Sequence, residues 1–174
     1  EHSDKGEIPQ TVIGQGNTLM TPFHNALLMC AVANDGVLMK PYVIDHIEGA
    51  DNTTVKENIP EIYADLMSKK DAKKLQKMLR EVVTDGTGYS LDTDLYTAAG
   101  KTGTAENEGK YAHAWFVGYS NVEDPDLVVC VLVENTGAGS KYAVPIAKKI
   151  FNSYYNNNMK EYYGEKKNTA QSDE

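Results

Sequence analysis

The sequence predicts an α+β fold in which helices flank an antiparallel sheet. Three apolar runs, 96–104, 112–120 and 127–134, are separated by the polar stretches 105–111 and 121–126, and they read as strands. Connections that short make neighbouring strands antiparallel, so the three form a meander. The run 127–133 is apolar without a break, the mark of a strand covered on both faces, and helical periodicity on either side of the block supplies the covers.

The first helix is announced by Thr21 and Pro22, a capping hydroxyl followed by a proline suited to the first helical position. The run 23–33 behind them is apolar nearly all round, as a helix buried on most sides requires. Asn34, Asp35 and Gly36 stop it, and 37–47 reads as a short strand or extended crossing broken at Pro41. Ser68 with Asp71 resembles a capping box in which Asp stands for the usual Glu. The helix that follows spaces Leu75, Met78, Leu79, Val82 and Val83 at helical intervals, which leaves Lys73, Lys74, Lys77, Arg80 and Glu81 for a solvated face. Pro145 opens a last helix with Ile146, Ile150 and Tyr154 on one side and Ala147 and Phe151 beside them, able to lie back across the sheet. Residues 156–174 are polar and aperiodic and read as a frayed tail behind a folded part, 1–155.

A chain of 174 residues, 41% of them hydrophobic, is long enough to bury the core of one ordinary domain. The net charge of -8 opposes nucleic acid as a partner, since a basic face is needed to displace counterions from phosphates, and disfavours anionic membranes too. No run reaches the roughly 18 apolar residues of a membrane span, and the polar start, residues 1–5, is no signal peptide, so any anchor of a parent protein lies outside this chain. Cys30 and Cys130 stand far apart inside apolar runs and read as two buried free thiols. His2, His24, His46 and His113 show no ligand spacing, so neither a metal nor a cofactor is indicated.

Gly100-Lys101-Thr102 invites a phosphate-loop reading and fails it. That motif needs a glycine where Leu95 stands, and its lysine opens a helix rather than sitting between strands. Lys101-Thr102-Gly103 also matches the triad that lines the cleft of penicillin-binding proteins and serine β-lactamases, where it lies on a strand. Further segments stand around it in order. Ile13-Gly14-Gln15-Gly16 precedes Thr21-Pro22 and the buried helix; Gly86-Thr87-Gly88 leads to residues 99–106; Ala114-Trp115-Phe116-Val117-Gly118-Tyr119 precedes a strand closing on Val133-Glu134-Asn135; and Ala143-x-Pro145-Ile146-Ala147 opens the last helix.

In this order and spacing the chain resembles the transpeptidase domain of high-molecular-mass penicillin-binding proteins over nearly the whole of 13–150, and the Glu-Asn after the strand is most similar to the monofunctional class B branch. The resemblance implies a serine D,D-transpeptidase that cross-links peptidoglycan through an acyl-enzyme on the outer face of the bacterial cell membrane. Lys101 would supply positive charge to the carboxylate of a D-Ala-D-Ala stem peptide or a β-lactam, with the hydroxyls of Thr102 and Thr104 as donors. Gly103 would clear the approach to the backbone, and the N–H of Thr104 would be one of two oxyanion-hole donors. The strand edge would pair with an extended peptide. Plainer roles stand beside these: Lys101 as an edge-strand lysine that blocks sheet aggregation, the glycines of 13–16 and 86–88 as turn formers, Trp115 and Phe116 as core, and His113 as an ordinary hydrogen-bonded strand histidine.

The family's Ser-x-x-Lys nucleophile and Ser-x-Asn motif are missing from the chain. Ser3, Ser68, Ser90, Ser120, Ser140, Ser153 and Ser172 have neither a lysine three positions on nor an asparagine two positions on. The resemblance puts both motifs, and two earlier strands of a five-stranded sheet, before Glu1. The chain alone is then half a site and inactive, with the N-terminal half of the same domain as its first partner and a membrane glycan polymerase as a second. A non-catalytic β-lactam or peptide-binding sensor or scaffold is the competing reading, and a serine β-lactamase the third.

Overall fold

The computed structural model describes residues 7–156, so the predicted tail lies, beyond Asn156, outside the described residues. Helix α1 (Glu7–Val12) leads to α2 (Pro22–Ala33). An exposed excursion of four short strands follows: β1 (Val37–Met39), β2 (His46–Glu48), β3 (Thr54–Glu57) and β4 (Ile62–Asp65). Helix α3 (Lys69–Thr84) and a 3-10 turn (Tyr89–Leu91) lead into the sheet of β5 (Ala98–Ala105), β6 (His113–Ser120) and β7 (Leu127–Val133). The chain closes with α4 (Gly139–Tyr142) and α5 (Val144–Asn156).

The predicted meander is present. β5, β6 and β7 pair in that order, antiparallel and without a break in register, so that Thr102 faces Phe116 and Phe116 faces Val131. Alternation sends Ala98, Ala114, Phe116, Val129 and Val131 to one face, where they pack with Val144, Ala147 and Phe151 of α5. Ala99, Tyr119 and Val128 point the other way, against Met29 and Val32 of α2 and Leu79 of α3. β7 is thus covered on both faces, as its unbroken apolar run requires. Phe116 and Phe151 are fully buried, each worth roughly 2–3 kcal/mol of apolar transfer.

Both helix starts follow the local chemistry. Thr21 Oγ1 accepts from the His24 N–H at 3.1 Å ahead of Pro22, and Ser68 Oγ accepts from the Asp71 N–H at 3.2 Å. The capping box closes differently from the standard one: Ser68 Oγ also donates to the Asp71 carboxylate at 2.8 Å, because the shorter acid stays at the hydroxyl.

Several expectations need correction. On α3 the buried stripe is Ala72, Gln76, Leu79 and Val83, whereas Met78 is exposed, because the helix rotates to place Gln76 under α2. Gln76 Nε2 donates to the Val32 carbonyl at 2.7 Å and to Asp35 at 3.1 Å, which satisfies the end of α2. Nor is the polar face of α3 merely solvated. Lys73 pairs with Asp35 at 2.8 Å, joined by Lys69 at 2.9 Å, and Arg80 reaches the sheet.

On α5 the core face is Val144, Ala147 and Phe151, while Ile146 and Ile150 remain 40% exposed. Tyr155, rather than Tyr154, anchors the far end of α5. Its ring stacks on Tyr96 with centroids 5.2 Å apart, and its hydroxyl donates to Asp126 at 2.7 Å in the β6–β7 connection. Finally, β1 stops before Pro41 as read, but β1 pairs with β4 and encloses the β2–β3 pair, a nested ribbon whose strands the pattern did not reveal. Cys30 and Cys130 are free as read but only half-buried, and that partial burial pushes both thiols up in pKa.

Candidate active-site edge

Peptide groups alternate along an antiparallel strand, each residue turning its N–H and C=O to the same side. The Asn121 N–H donates to the Thr97 carbonyl at 2.7 Å, extending the β5–β6 ladder by one residue. Odd-numbered residues of β5 therefore bond to β6, and Ala98, Gly100, Thr102 and Thr104 turn their peptide groups to the other edge. No other strand among the described residues pairs there.

Side chains close part of that edge, always at even positions. Arg80 Nη1 donates to the Ala98 carbonyl at 2.9 Å, with Nη2 held by Asp92 at 2.8 Å. Lys101 Nζ donates to the Thr102 carbonyl at 2.8 Å. Gln15 Nε2 donates to the Thr104 carbonyl at 2.8 Å, and the Glu106 N–H donates to Gln15 Oε1 at 3.2 Å. Among the described residues this leaves the Gly100 carbonyl and the N–H groups of Ala98, Gly100, Thr102 and Thr104 without a strand partner on that edge. The edge can accept a short extended ligand between Arg80 and Gln15.

The four residues singled out in the sequence all lie on this stretch. Thr102 and Thr104 share one face of β5 and Lys101 belongs to the other, from which its ammonium returns to the edge at the Thr102 carbonyl. Thr102 Oγ1 lies 2.6 Å from Thr87 Oγ1, so the Gly86-Thr87-Gly88 turn orients that hydroxyl. Gly103 has a packing reason of its own, since a Cβ there would lie 3.0 Å from Trp115 Cβ. A Cβ on Gly139 would lie 2.5 Å from the Gly103 carbonyl and closer still to that of Trp115, so α4 rests directly on the backbone of the edge strand.

At the far end of the strand, the Asn135 N–H donates to His113 Nδ1 at 3.1 Å and Asn107 Nδ2 donates to Asn135 Oδ1 at 2.9 Å. This ties the β5–β6 connection to the end of β7 and gives His113 its hydrogen-bonded strand role. Gln15, Arg80 and Gly139 were not read from the sequence as parts of the site. Gln15 belongs to the segment Ile13-Gly14-Gln15-Gly16, but only folding brings its amide to β5 across a separation of 89 residues. A larger recess of 760 Å³, at Asn34–Asp35 and Asp65–Lys69, lies away from this edge, with its Asp35 committed to Lys69 and Lys73.

Comparison with known proteins agrees with this geometry. The family model described as the penicillin binding protein transpeptidase domain matches residues 3–152. The peptidoglycan D,D-transpeptidase PbpA of Mycolicibacterium smegmatis is 31% identical over 156 residues, covering 83% of this chain and 31% of that protein. The peptidoglycan D,D-transpeptidase MrdA of Haemophilus influenzae is 34% identical over 176 residues, covering 89% and 27%. The imipenem acyl-enzyme complex of penicillin-binding protein A from M. tuberculosis superposes with a TM-score of 0.78 at 29% identity, covering 86% of this chain and 34% of that one. The chain thus spans less than a third of the length of these two curated relatives. With the strand order, the flanking helices and the Lys-Thr-Gly edge all in place along the matched region, the chain belongs to the penicillin-binding protein transpeptidase domain family.

Proposed function

We propose that this chain is the substrate- and β-lactam-binding half of a class B serine D,D-transpeptidase that cross-links peptidoglycan stem peptides on the outer face of the cell membrane. The open edge of β5 carries the reading: the outward N–H groups of Thr102 and Thr104 on a strand bearing Lys101, Thr102, Gly103 and Thr104. The names of the relatives PbpA, MrdA and stage V sporulation protein D support the branch. A D-Ala-D-Ala stem peptide or a β-lactam lies along the edge, its carboxylate met by the hydroxyls of Thr102 and Thr104 and by the charge of Lys101. Its reacting carbonyl points at the Thr104 N–H, which stabilises the tetrahedral oxyanion; one such donor can be worth about 3–4 kcal/mol in the transition state.

The reaction also needs a nucleophile and a base, and the chain contains neither Ser-x-x-Lys nor Ser-x-Asn. The acyl-enzyme therefore forms only when an upstream half of the domain supplies the serine, and a membrane glycan polymerase is a further partner of the assembled protein. Exposure to a fluorescent penicillin tests the assignment. The chain alone stays unlabelled, and adding the upstream segment restores a covalent label on that segment. Covalent labelling of this chain alone overturns the division of labour. No label with the upstream segment present turns the reading to a non-catalytic β-lactam or peptide-binding module.

A further inference from the structure

The open edge of β5 ends at one side chain that lies outside the Lys-Thr-Gly strand. Gln15 sits just past α1, where the chain turns through Gly14 at φ 78°. The Gly14 N–H bonds back to the Thr11 carbonyl at 3.0 Å and the Gln15 N–H to the Gln10 carbonyl at 2.8 Å, the paired bonds of a glycine-terminated helix end. That turn fixes the backbone of Gln15 and sends its amide to β5. There the amide engages the Thr104 carbonyl and the Glu106 N–H at once, the two groups a neighbouring strand would otherwise take.

The peptide planes on either side of Thr104 decide where its N–H points. The preceding plane joins it to Gly103, whose missing side chain leaves that plane freer to rotate. Gly139 packs against Gly103 on one side. The Gln15 amide holds the following two planes on the other. We propose that Gln15 is a positioning residue that holds the Thr104 N–H in its oxyanion-binding orientation and stops ligand pairing at that residue. The inference rests on the transpeptidase reading and assigns to that site a part carried by a residue far away in sequence.

The test is made in the protein that joins this chain to its upstream nucleophile segment. Gln15→Met keeps the length and volume of the side chain and removes both hydrogen bonds. Two quantities are read: exchange of the Glu106 amide, and penicillin acylation resolved into a binding constant and an acylation rate constant. Glu106 exchange rises in the variant, and the acylation rate constant falls about 10- to 100-fold while binding changes less than about 3-fold. A variant that acylates within about 2-fold of the unsubstituted protein, or one whose Glu106 exchange is unaltered, overturns the proposal. Should Gln15→Met fail to fold, Gln15→Glu is read on the acylation rate constant alone, since it keeps acceptance from the Glu106 N–H and loses donation to the Thr104 carbonyl. Failure of the unsubstituted protein to acylate sinks the transpeptidase reading itself, and with it this inference. Failure confined to the difference between variant and parent sinks only the role of Gln15.

Discussion

Asp35 shows how one residue ties two elements together. It sits just past the end of α2 at φ 54°, and its carboxylate takes Lys69, Lys73 and Gln76. Hydrogen bonds from Lys73 and then Lys69 hold its pKa well below the usual carboxylate range, against a smaller opposing effect of desolvation. A lowered folded-state value means that the stabilisation is fully present above about pH 4, the ordinary range of an unfolded Asp, and is lost as the pH falls through the lowered value. Urea unfolding against pH checks this. The parent loses stability between about pH 5 and 2, and Asp35→Asn, weaker at pH 7, converges with it in acid. Parallel curves for the two proteins would remove Asp35 from the acid dependence. The candidate residues Lys101, Thr102, Gly103 and Thr104 could be singled out because they are contiguous, and a contiguous motif needs no fold to be recognised. Gln15 and Arg80 were not, because a side chain that caps a distant carbonyl leaves no local pattern.

At the scale of the element, caps and strand periods predicted well and helix faces less so. Thr21 and Ser68 each start the helix they announce, since a cap depends on a few adjacent residues. The face that α5 buries depends instead on what lies beneath it. The sheet presents Phe116 and Val131 between small residues, and Ala147 with Phe151 fits that relief, leaving Ile146 and Ile150 at the margin. Phe151→Ala accordingly costs about 3–5 kcal/mol and Ile150→Ala under about 1 kcal/mol, measured by denaturant unfolding. Equal losses would restore the isoleucine face first read from the sequence. The ribbon β1–β4 escaped notice for a related reason. Its strands are three or four residues long and mostly exposed, so no alternation of buried and exposed positions marks them.

For the whole molecule, the unpaired features are what matter. The outer edge of β7 has no strand partner among the described residues, and Ile8, Val12, Ile13, Leu19 and Phe23 are exposed along α1 and the approach to α2. An apolar strand edge beside exposed apolar helices favours association. The isolated chain therefore sediments as oligomers at about 100 μM. A monomer at that concentration would show the edge to be protected. The family, the meander, the capped helices and the Lys-Thr-Gly triad could be read from the sequence, because each rests on local pattern or on motifs kept in order. Only the tertiary structure decided which peptide groups of β5 face outward, which helix faces are buried, and that Arg80 and Gln15 close the two ends of the open edge. Those outcomes depend on register and on contacts across tens of residues, which are settled when the sheet pairs and the helices pack on it.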